Sequence, residues 1–453
     1  MAVRITCYGG VAEIGGNKFL LEDKDTKVLL DFGTGFSEGS EYFNGMIKPR
    51  GVNGAGDLFE FGLLPEIQGL YSEEALQNTE LKHKEPDVAA VILSHYHWDH
   101  MGRIPHIDRE IPVYCGETTE LIAEAYSRAG GSPLDGHKLK TFRTGDRFRV
   151  GPMEFVPVHV DHSIPGAYGF VIHTSEGAVA YTGDFRFHGR AGSMTGDFVK
   201  AAKEAEPQVL LSEGTRVNED DTKRAMSEED VLNETLNVVG SSRRLVLSSF
   251  KGNDVDRINT FSEAAEKTGR RLLVSMKTAL LLEMLSRDSG IEVPKVGKDV
   301  LVYVKRKRSG KIDDKDYLKW ERPFLNHGST AEDVHREQGK LFLHLETWNL
   351  PEVIDIKPER GGVYVHSSTE AFNEEGEREE DLVKNWVDHL GFSYHQIHAS
   401  GHAPMTGVKE LVVEIGARKV VPIHTEHPEM FRGFRGGRVE LPVLGKPLAV
   451  SGN

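Results

Sequence analysis

The run VILSHYHWDHMGRIPHI, Val91 to Ile107, places His95, His97, Asp99 and His100 within six residues, directly after an apolar stretch. Burying imidazoles and carboxylates is costly unless they are paired or bound to a metal. His95 and His97 are two apart, so an extended chain points both the same way. Asp99 and His100 follow where the chain must turn. This differs from the His-Glu-x-x-His zinc helix, whose histidines lie four apart on one face. Imidazole and carboxylate are the usual ligands for zinc and related divalent ions.

Further ligands must come from elsewhere in the chain. VDHSIPGAYGF offers His162, YTGDFRFHG offers Asp184 and VVPIHTEH offers His424. Each follows an apolar run, where a strand would deliver it to one edge of a sheet. The seven side chains divide into two clusters, with Asp184 able to bridge two ions. Ions about 3.5–4 Å apart can activate water and stabilise the charge of a phosphoryl displacement. A lone histidine at a strand end is more often an ordinary core or surface residue. His83, His106, His137, His173, His188 and His344 are read that way.

The elements that must position this set are legible as alternating patterns. VRITCYGG and KVLLDFG read as glycine-bounded strands, EPDVAAVILSH ends in a third, and strands return through MEFVPVHV, AYGFVIHT and AVAYTGDF. TELIAEAYSRAGG has helical periodicity and a glycine stop. Between Gly33 and Tyr71 lies a long irregular stretch rich in Gly, Pro and aromatics, the kind of connection that covers a site or forms a surface insertion. After QVLLSEGTR the texture changes to a βαβ rhythm, which implies a parallel sheet covered by helices. Within it SEEDVLNETLNVV opens with a capping box at Ser227 and Asp230.

At 453 residues, with 38% hydrophobic and 28% charged content, the chain is an ordinary globular protein of more than one domain. The formal charge of −15 argues against a surface coated for nucleic acid, though not against a local basic groove or a metal-lined cleft. No apolar run approaches the roughly 20 residues that span a bilayer, so no membrane partner is expected. The N-terminal residues lack a leader pattern, and the two cysteines, Cys7 and Cys115, suit a reducing compartment, so a cytoplasmic location is expected. The most basic stretches, Lys305 to Lys311 and Phe431 to Arg438, read first as solvated loops.

The motif residues resemble the metallo-β-lactamase superfamily, whose order Asp31 in LLDFG, His95 to His100, His162 and Asp184 follows. The resemblance implies an α/β fold, an αββα sandwich with two metals at the edge of its sheets. It implies a first ion held by His95, His97 and His162, and a second by Asp99, His100 and His424, with Asp184 between them. Asp31 would support the site without ligating.

Downstream, LLSEGTR, HASGHAPM and PIHTEHPE resemble the extra motifs of the β-CASP nucleases, carried here by Glu213, His402 and His424. The implied organisation is a metallo-β-lactamase domain over 1–215, an inserted β-CASP α/β domain over 216–392, and a return segment over 393–453. YGGVAEIGGNKFLL and SGHA are most similar to the ribonuclease J family. That resemblance implies a hydrolase of RNA phosphodiesters, a 5′→3′ exonuclease with endonuclease action open to it, in RNA processing or decay. Its cofactors would be two divalent ions, zinc or else manganese. Its partner would be single-stranded RNA with a 5′-monophosphate, and a homo-oligomer is compatible.

Asp99, Glu213 and His402 are the expected catalytic residues, with His402 as general acid or electrostatic stabiliser and Glu213 orienting it. Ser367 and Ser368, which follow a strand, and His398 and Ser400, beside His402, are expected to bind the substrate phosphate. The alternatives are a DNA-acting β-CASP nuclease, an RNA-binding member with little activity, and a metallo-hydrolase of small esters. Glu213, His402 and the inserted region weigh against the last.

Overall fold

The computed structural model describes residues 2–44, 46–218, 225–369 and 374–451. Two seven-stranded sheets lie face to face. The first is built from the strands Arg4–Gly9, Lys18–Asp23, Thr26–Leu30, Ala90–Ile92, Val113–Gly116 and Leu139–Phe142, with Pro447–Ala449 added at its edge. The second runs Arg438–Val439, Lys419–Ile423, Val209–Glu213, Gly177–Tyr181, Tyr168–Thr174, Met153–His159 and Phe148–Val150. Alternation along these strands sends Phe19, Leu30 and Ile92 from one sheet, and Phe155, Phe170 and Leu211 from the other, into one shared apolar layer.

Helices cover the outer faces. Gly192–Glu204 and Met405–Ile415 place Phe198 and Leu411 against Val171, Ala180 and Leu210 of the second sheet. Glu117–Ala129 packs behind the first sheet through Ile122, Ala123 and Ala125. This is the αββα sandwich that the motif order implies.

Between Glu213 and Lys419 the chain builds a third sheet of six strands, Val246–Ser249, Arg271–Ser275, Val300–Tyr303, Leu341–His344, Val363–His366 and Ser393–Gln396. Every pairing in it is parallel. It includes residues 393–396, so the strand layer runs four residues past the boundary expected from sequence. Among the helices around it, Glu228–Val239 opens with the anticipated capping box between Ser227 and Asp230. The long stretch after Gly33 is less irregular than its composition suggests. It holds a 3₁₀ turn, Gly51–Asn53, and a short helix, Gly56–Glu60, and buries Leu58, Leu64, Leu70 and Tyr71 beside Met101 and Ile104. Among the described residues no helix is long and apolar enough to cross a membrane.

Two fully buried arginines fasten the third sheet to the sandwich. Arg257 reaches both oxygens of Glu228 at 3.0 and 3.3 Å and donates to the carbonyls of Ser367 and Ala399 at 3.0 and 3.1 Å. Arg186 contacts Asp161 at 3.2 Å, Asp256 at 2.6 Å and the Ser400 carbonyl at 3.1 Å. Its Nη1 also lies 3.5 Å from Glu228. Asp161 precedes His162 and Ser400 lies two residues before His402, so this network sets the spacing between the second sheet and the loop that carries His402. Removing one partner of a buried ion pair leaves the other charge uncompensated, at a cost of about 3–5 kcal/mol. Arg257→Ala should lose stability of that order in urea unfolding, and the conservative Arg257→Lys should recover only part of it because lysine lacks the planar fork.

Candidate metal centre

Parallel pairing explains why residues far apart in sequence meet. Val209–Glu213 lies between Gly177–Tyr181 and Lys419–Ile423 in parallel register, with Leu211 opposite Tyr181 and Glu213 opposite Ile423. The residues that follow these strand ends, Asp184 and His424, therefore emerge beside Glu213. In the first sheet, Thr26–Leu30 runs parallel to Ala90–Ile92, and Asp31 and Ser94 leave at the same edge. His95 and His97 sit on the extended segment after Ile92, and His97 occupies the N-cap of the turn Trp98–Met101, which presents Asp99 and His100.

All seven expected ligands converge. His95, His97, His162 and Asp184 bring one ligand atom each within 4.8 Å of one another, and so do Asp99, His100, Asp184 and His424. A third grouping joins Asp184 and His424 to Glu213 and His402. Asp184 belongs to all three.

The outer nitrogens show how the rings are aimed. His95 Nδ1 meets Ser94 Oγ at 3.0 Å, His100 Nδ1 meets Asp31 Oδ2 at 2.7 Å, and His162 Nδ1 donates to the Gly401 carbonyl at 2.6 Å. His424 Nδ1 lies 2.7 Å from Thr215 Oγ1. The carboxylate and carbonyl acceptors make Nδ1 the donor in His100 and His162, and all four contacts turn Nε2 inward, the arrangement that metal-ligating histidines use. Inside, His97 Nδ1 lies 3.0 Å from His95 Nε2 and 3.1 Å from His162 Nε2. Three imidazole nitrogens at such spacing cannot satisfy each other while neutral, but they match ligands about 2.0–2.1 Å from one ion. Asp184 Oδ1 is buried with no hydrogen-bond partner among the described residues. The residues present fit a divalent metal.

Electrostatics point the same way. Burial and the neighbouring rings hold His95 and His97 neutral, the latter helped by the ammonium of Lys251. Burial and His402 push His162 down to about 3. His100 is driven the other way, because Asp184, Asp99 and Asp31 outweigh its burial. Against the same burial cost, Asp184 and Asp99 lift His424 to about 9. The buried carboxylates thus demand positive charge around Asp184, and metal uptake there would displace protons.

Asp31 accepts from the Ser94 backbone and hydroxyl at 2.7 Å each and also from Tyr181 Oη, so it orients both Ser94 and His100. Asp31 and His424 both have left-handed backbone, with φ of 56° and 50°, strain of the kind that gathers at functional sites. Gly33 is required by contact: a Cβ there would lie 1.7 Å from the Asp99 carbonyl oxygen.

Glu213 is fully buried. Its Oε1 accepts from the Phe185 amide and faces His402 Nδ1, both at 3.1 Å, and its Oε2 accepts from the Thr215 amide and hydroxyl at 3.0 and 2.7 Å. Burial would raise this carboxyl, but the imidazole of His402 holds it below the usual range. Thr215 was missed in the sequence reading. It links Glu213, His402 and His424, and nothing in SEGTR beyond its closeness to Glu213 signals that role.

The expected substrate residues divide. Ser367 is buried, and its hydroxyl is used internally, donating to the Ile397 carbonyl and accepting from Arg257. It has no hydroxyl to offer a ligand, because a strand-end serine reads the same in sequence whether or not an arginine is folded against it. His398 is held between the Ser367 carbonyl at 3.1 Å and Thr369 at 3.5 Å, and burial and Arg257 push it down to about 3. Ser400 Oγ accepts from the His402 amide at 3.2 Å. Ser368 is partly exposed, and among the described residues its carbonyl accepts from Gln396 at 2.7 Å while its hydroxyl has no partner.

His83, His106, His137, His173, His188 and His344, read as ordinary from sequence, stand apart from the ligand groups among the described residues. His188 donates to the Ser400 carbonyl at 3.0 Å, and His344 stacks on Phe250 with centroids 3.7 Å apart. In the basic stretch, Lys305, Arg306 and Lys307 pair with Glu352, Asp355 and Glu321.

Residues 64–243 match the β-lactamase superfamily domain. The chain is 24% identical over 291 residues to ribonuclease J of Mycoplasma genitalium, covering 64% of this chain and 46% of that one. It is 26% identical to ribonuclease J 2 of Streptococcus pyogenes, over 62% and 48% of the two chains. With ribonuclease J of Mycoplasma pneumoniae it shares 23% identity over 99% of this chain and 72% of that one. The chain spans about half the length of the first two of these relatives. A crystal structure of an Enterococcus faecalis protein of unknown function has the same fold, with a TM-score of 0.76 at 21% identity over 99% and 100% of the two chains. Fold, metal site and domain match define a protein of the metallo-β-lactamase type. Within that class it is ribonuclease J-like.

Hydrogen-bond partners that aim metal-ligating histidines are each worth roughly 10–100-fold in metal affinity. Asp31→Asn keeps a residue that tolerates left-handed backbone but weakens the grip on Ser94 and His100. Its zinc affinity, read by competition with a chromophoric chelator, should fall by about that factor while far-ultraviolet circular dichroism is unchanged.

Proposed function

We propose that the protein is a metal-dependent ribonuclease that hydrolyses RNA phosphodiesters. It works 5′→3′ from a 5′-monophosphate, with internal cutting as a second mode, in RNA processing or decay. The observation that carries this reading is the pairing of two ligand groups through Asp184 with a separate proton-handling pair, Glu213 and His402, beside them. Hydrolysis of a small ester needs no such neighbour. The ribonuclease J relatives support RNA as the substrate. Two buried free thiols, Cys7 and Cys115, accord with a cytoplasmic setting.

The first group, His95, His97 and His162, and the second, Asp99, His100 and His424, would each hold one divalent ion with Asp184 between them, zinc or manganese. Such a pair supplies Lewis acidity toward a phosphoryl oxygen and lowers the pKa of water. The chain's own residues do the rest. Glu213 accepts from His402 Nδ1–H, which leaves Nε2 to face the reacting phosphate. His402 is partly exposed, unlike the fully buried Glu213, so it can reach substrate and give a proton to the departing oxygen. Thr215 donates to Glu213 and accepts from His424, tying the acid's orientation to that of a ligand. Asp161 and Arg186 fix the segments bearing His162 and Ser400. Ser368, His398 and Ser400 line the approach to a terminal phosphate, Ser368 with a hydroxyl that has no partner among the described residues.

The decisive test compares wild type and Asp99→Ala on 5′-monophosphorylated RNA labelled at its 5′ end, with zinc or manganese. Labelled mononucleotide, absent with the variant, is the expected product. Longer labelled fragments would show internal cutting, and cleavage of DNA alone would overturn the assignment of RNA. His402→Ala should lower kcat by about 10²–10⁴-fold while metal content measured by atomic emission stays at the wild-type level.

A further inference from the structure

Two large aromatic side chains stand in solvent at the rim of the metal centre. Trp98 lies inside the ligand motif, between His97 and Asp99, and is 58% exposed. Phe36, at the start of the long stretch after Gly33, is also 58% exposed. Its place is defined by Gly15: a Cβ there would meet the Asp99 Cβ at 2.9 Å and the Phe36 ring at 3.2 Å. One residue's width therefore separates the Phe36 ring from a ligand carboxylate. Rings of this size left more than half exposed are costly in water, although the same stretch buries Leu58, Leu64, Leu70 and Tyr71.

From the third sheet comes a cation. The strand Val246–Ser249 ends in a loop whose Gly252 amide donates to Glu346 at 3.1 Å, and this loop presents Lys251. Lys251 is exposed and makes no ion pair with a described residue. The position follows a general rule of open parallel sheets, whose ligands bind beyond the carboxyl ends of the strands, where the strand order reverses. Here Val246–Ser249 is the reversal point. Its neighbours are Leu341–His344 on one side and Val363–His366 on the other.

The opposite side of the centre suits an anion poorly. A cavity of about 870 Å³ lies beyond His162, but it is lined by Glu229, Asp256, Glu263 and Glu292. Its two long cations, Arg190 and Lys267, both pair with Glu263. A polyanion is therefore better suited to the side with the exposed rings and the Lys251 ammonium, which has no ion pair among the described residues. That alternation matches a single-stranded nucleic acid, in which bases have π-faces and the linkages carry charge.

We propose that the mouth of the metal centre grips single-stranded RNA by stacking its bases on Trp98 and Phe36, while Lys251 of the facing sheet takes a backbone phosphate. This rests on the ribonuclease reading and adds to it the residues that hold the strand next to the scissile bond. Stacking tolerates any base, so the grip is independent of sequence but requires unpaired bases.

The test uses the full, metal-loaded chain and two fluorescein-labelled, cleavage-resistant phosphorothioate decamers, one a mixed-sequence RNA and the other its abasic sugar–phosphate counterpart. Fluorescence anisotropy should show wild type binding the base-bearing strand roughly tenfold or more tightly. Trp98→Ala and Phe36→Ala should each narrow that gap, with circular dichroism unchanged, and Trp98→Phe should keep it while losing the tryptophan quenching that accompanies binding. Lys251→Gln should weaken both strands alike and lower the slope of log affinity against log salt by about 0.7. Equal binding of the two decamers by wild type, with RNA still cleaved, overturns the stacking rim and leaves the ribonuclease reading intact. Binding of neither, with no RNA cleaved, overturns both. An unchanged salt slope in Lys251→Gln overturns the phosphate contact.

Discussion

Asp184 is the carboxylate around which the site is built. It is buried, one of its oxygens has no hydrogen-bond partner among the described residues, and His100, His424 and His402 all bias it toward the ionised form. A buried anion of this kind must be compensated, and the fold supplies imidazoles from both sheets to do so. Asp99 and Asp31 add to the demand. The site is electrostatically complete only when more positive charge is present than the side chains carry in their neutral forms. Divalent metal binding is therefore a property of the charge arrangement as much as of the ligand count.

Rigidity around this centre has a clear origin. The ligands leave the ends of adjacent strands, so their separations are set by strand spacing and register. Around them, Ser94, Asp31, Thr215 and the Gly401 carbonyl hold the outer ring nitrogens. Beyond those, Arg186 and Arg257 tie the third sheet to the loop that carries His402. A disturbance in this outer ionic network bears on the placement of His402, although neither arginine touches the ligands.

The chemistry was unusually legible in the sequence. His95 to His100 after AAVIL is too dense in ligands to be a surface accident, and His162, Asp184 and His424 were recognisable because each follows an apolar strand. All seven meet in the structure. The stretch after Gly33 was less legible, because short helices and single buried apolar residues leave no period to read. Ser367 shows the limit most clearly. Its type and its strand-end position fit a phosphate contact, yet its hydroxyl is occupied by Arg257, a residue 110 positions away.

Local composition thus determined which residues could bind a metal, where the strands deliver them, and that a parallel sheet occupies the middle of the chain. Those features depend on side-chain type and short periodicity, which are properties of neighbours in sequence. Tertiary structure alone decided that Thr215 links Glu213 to two histidines, that Ser367 is spent inside, and that Trp98 and Phe36 stay in solvent. Each of these depends on which distant groups compete for the same hydrogen bond or the same solvent, and only packing of the three sheets settles that competition.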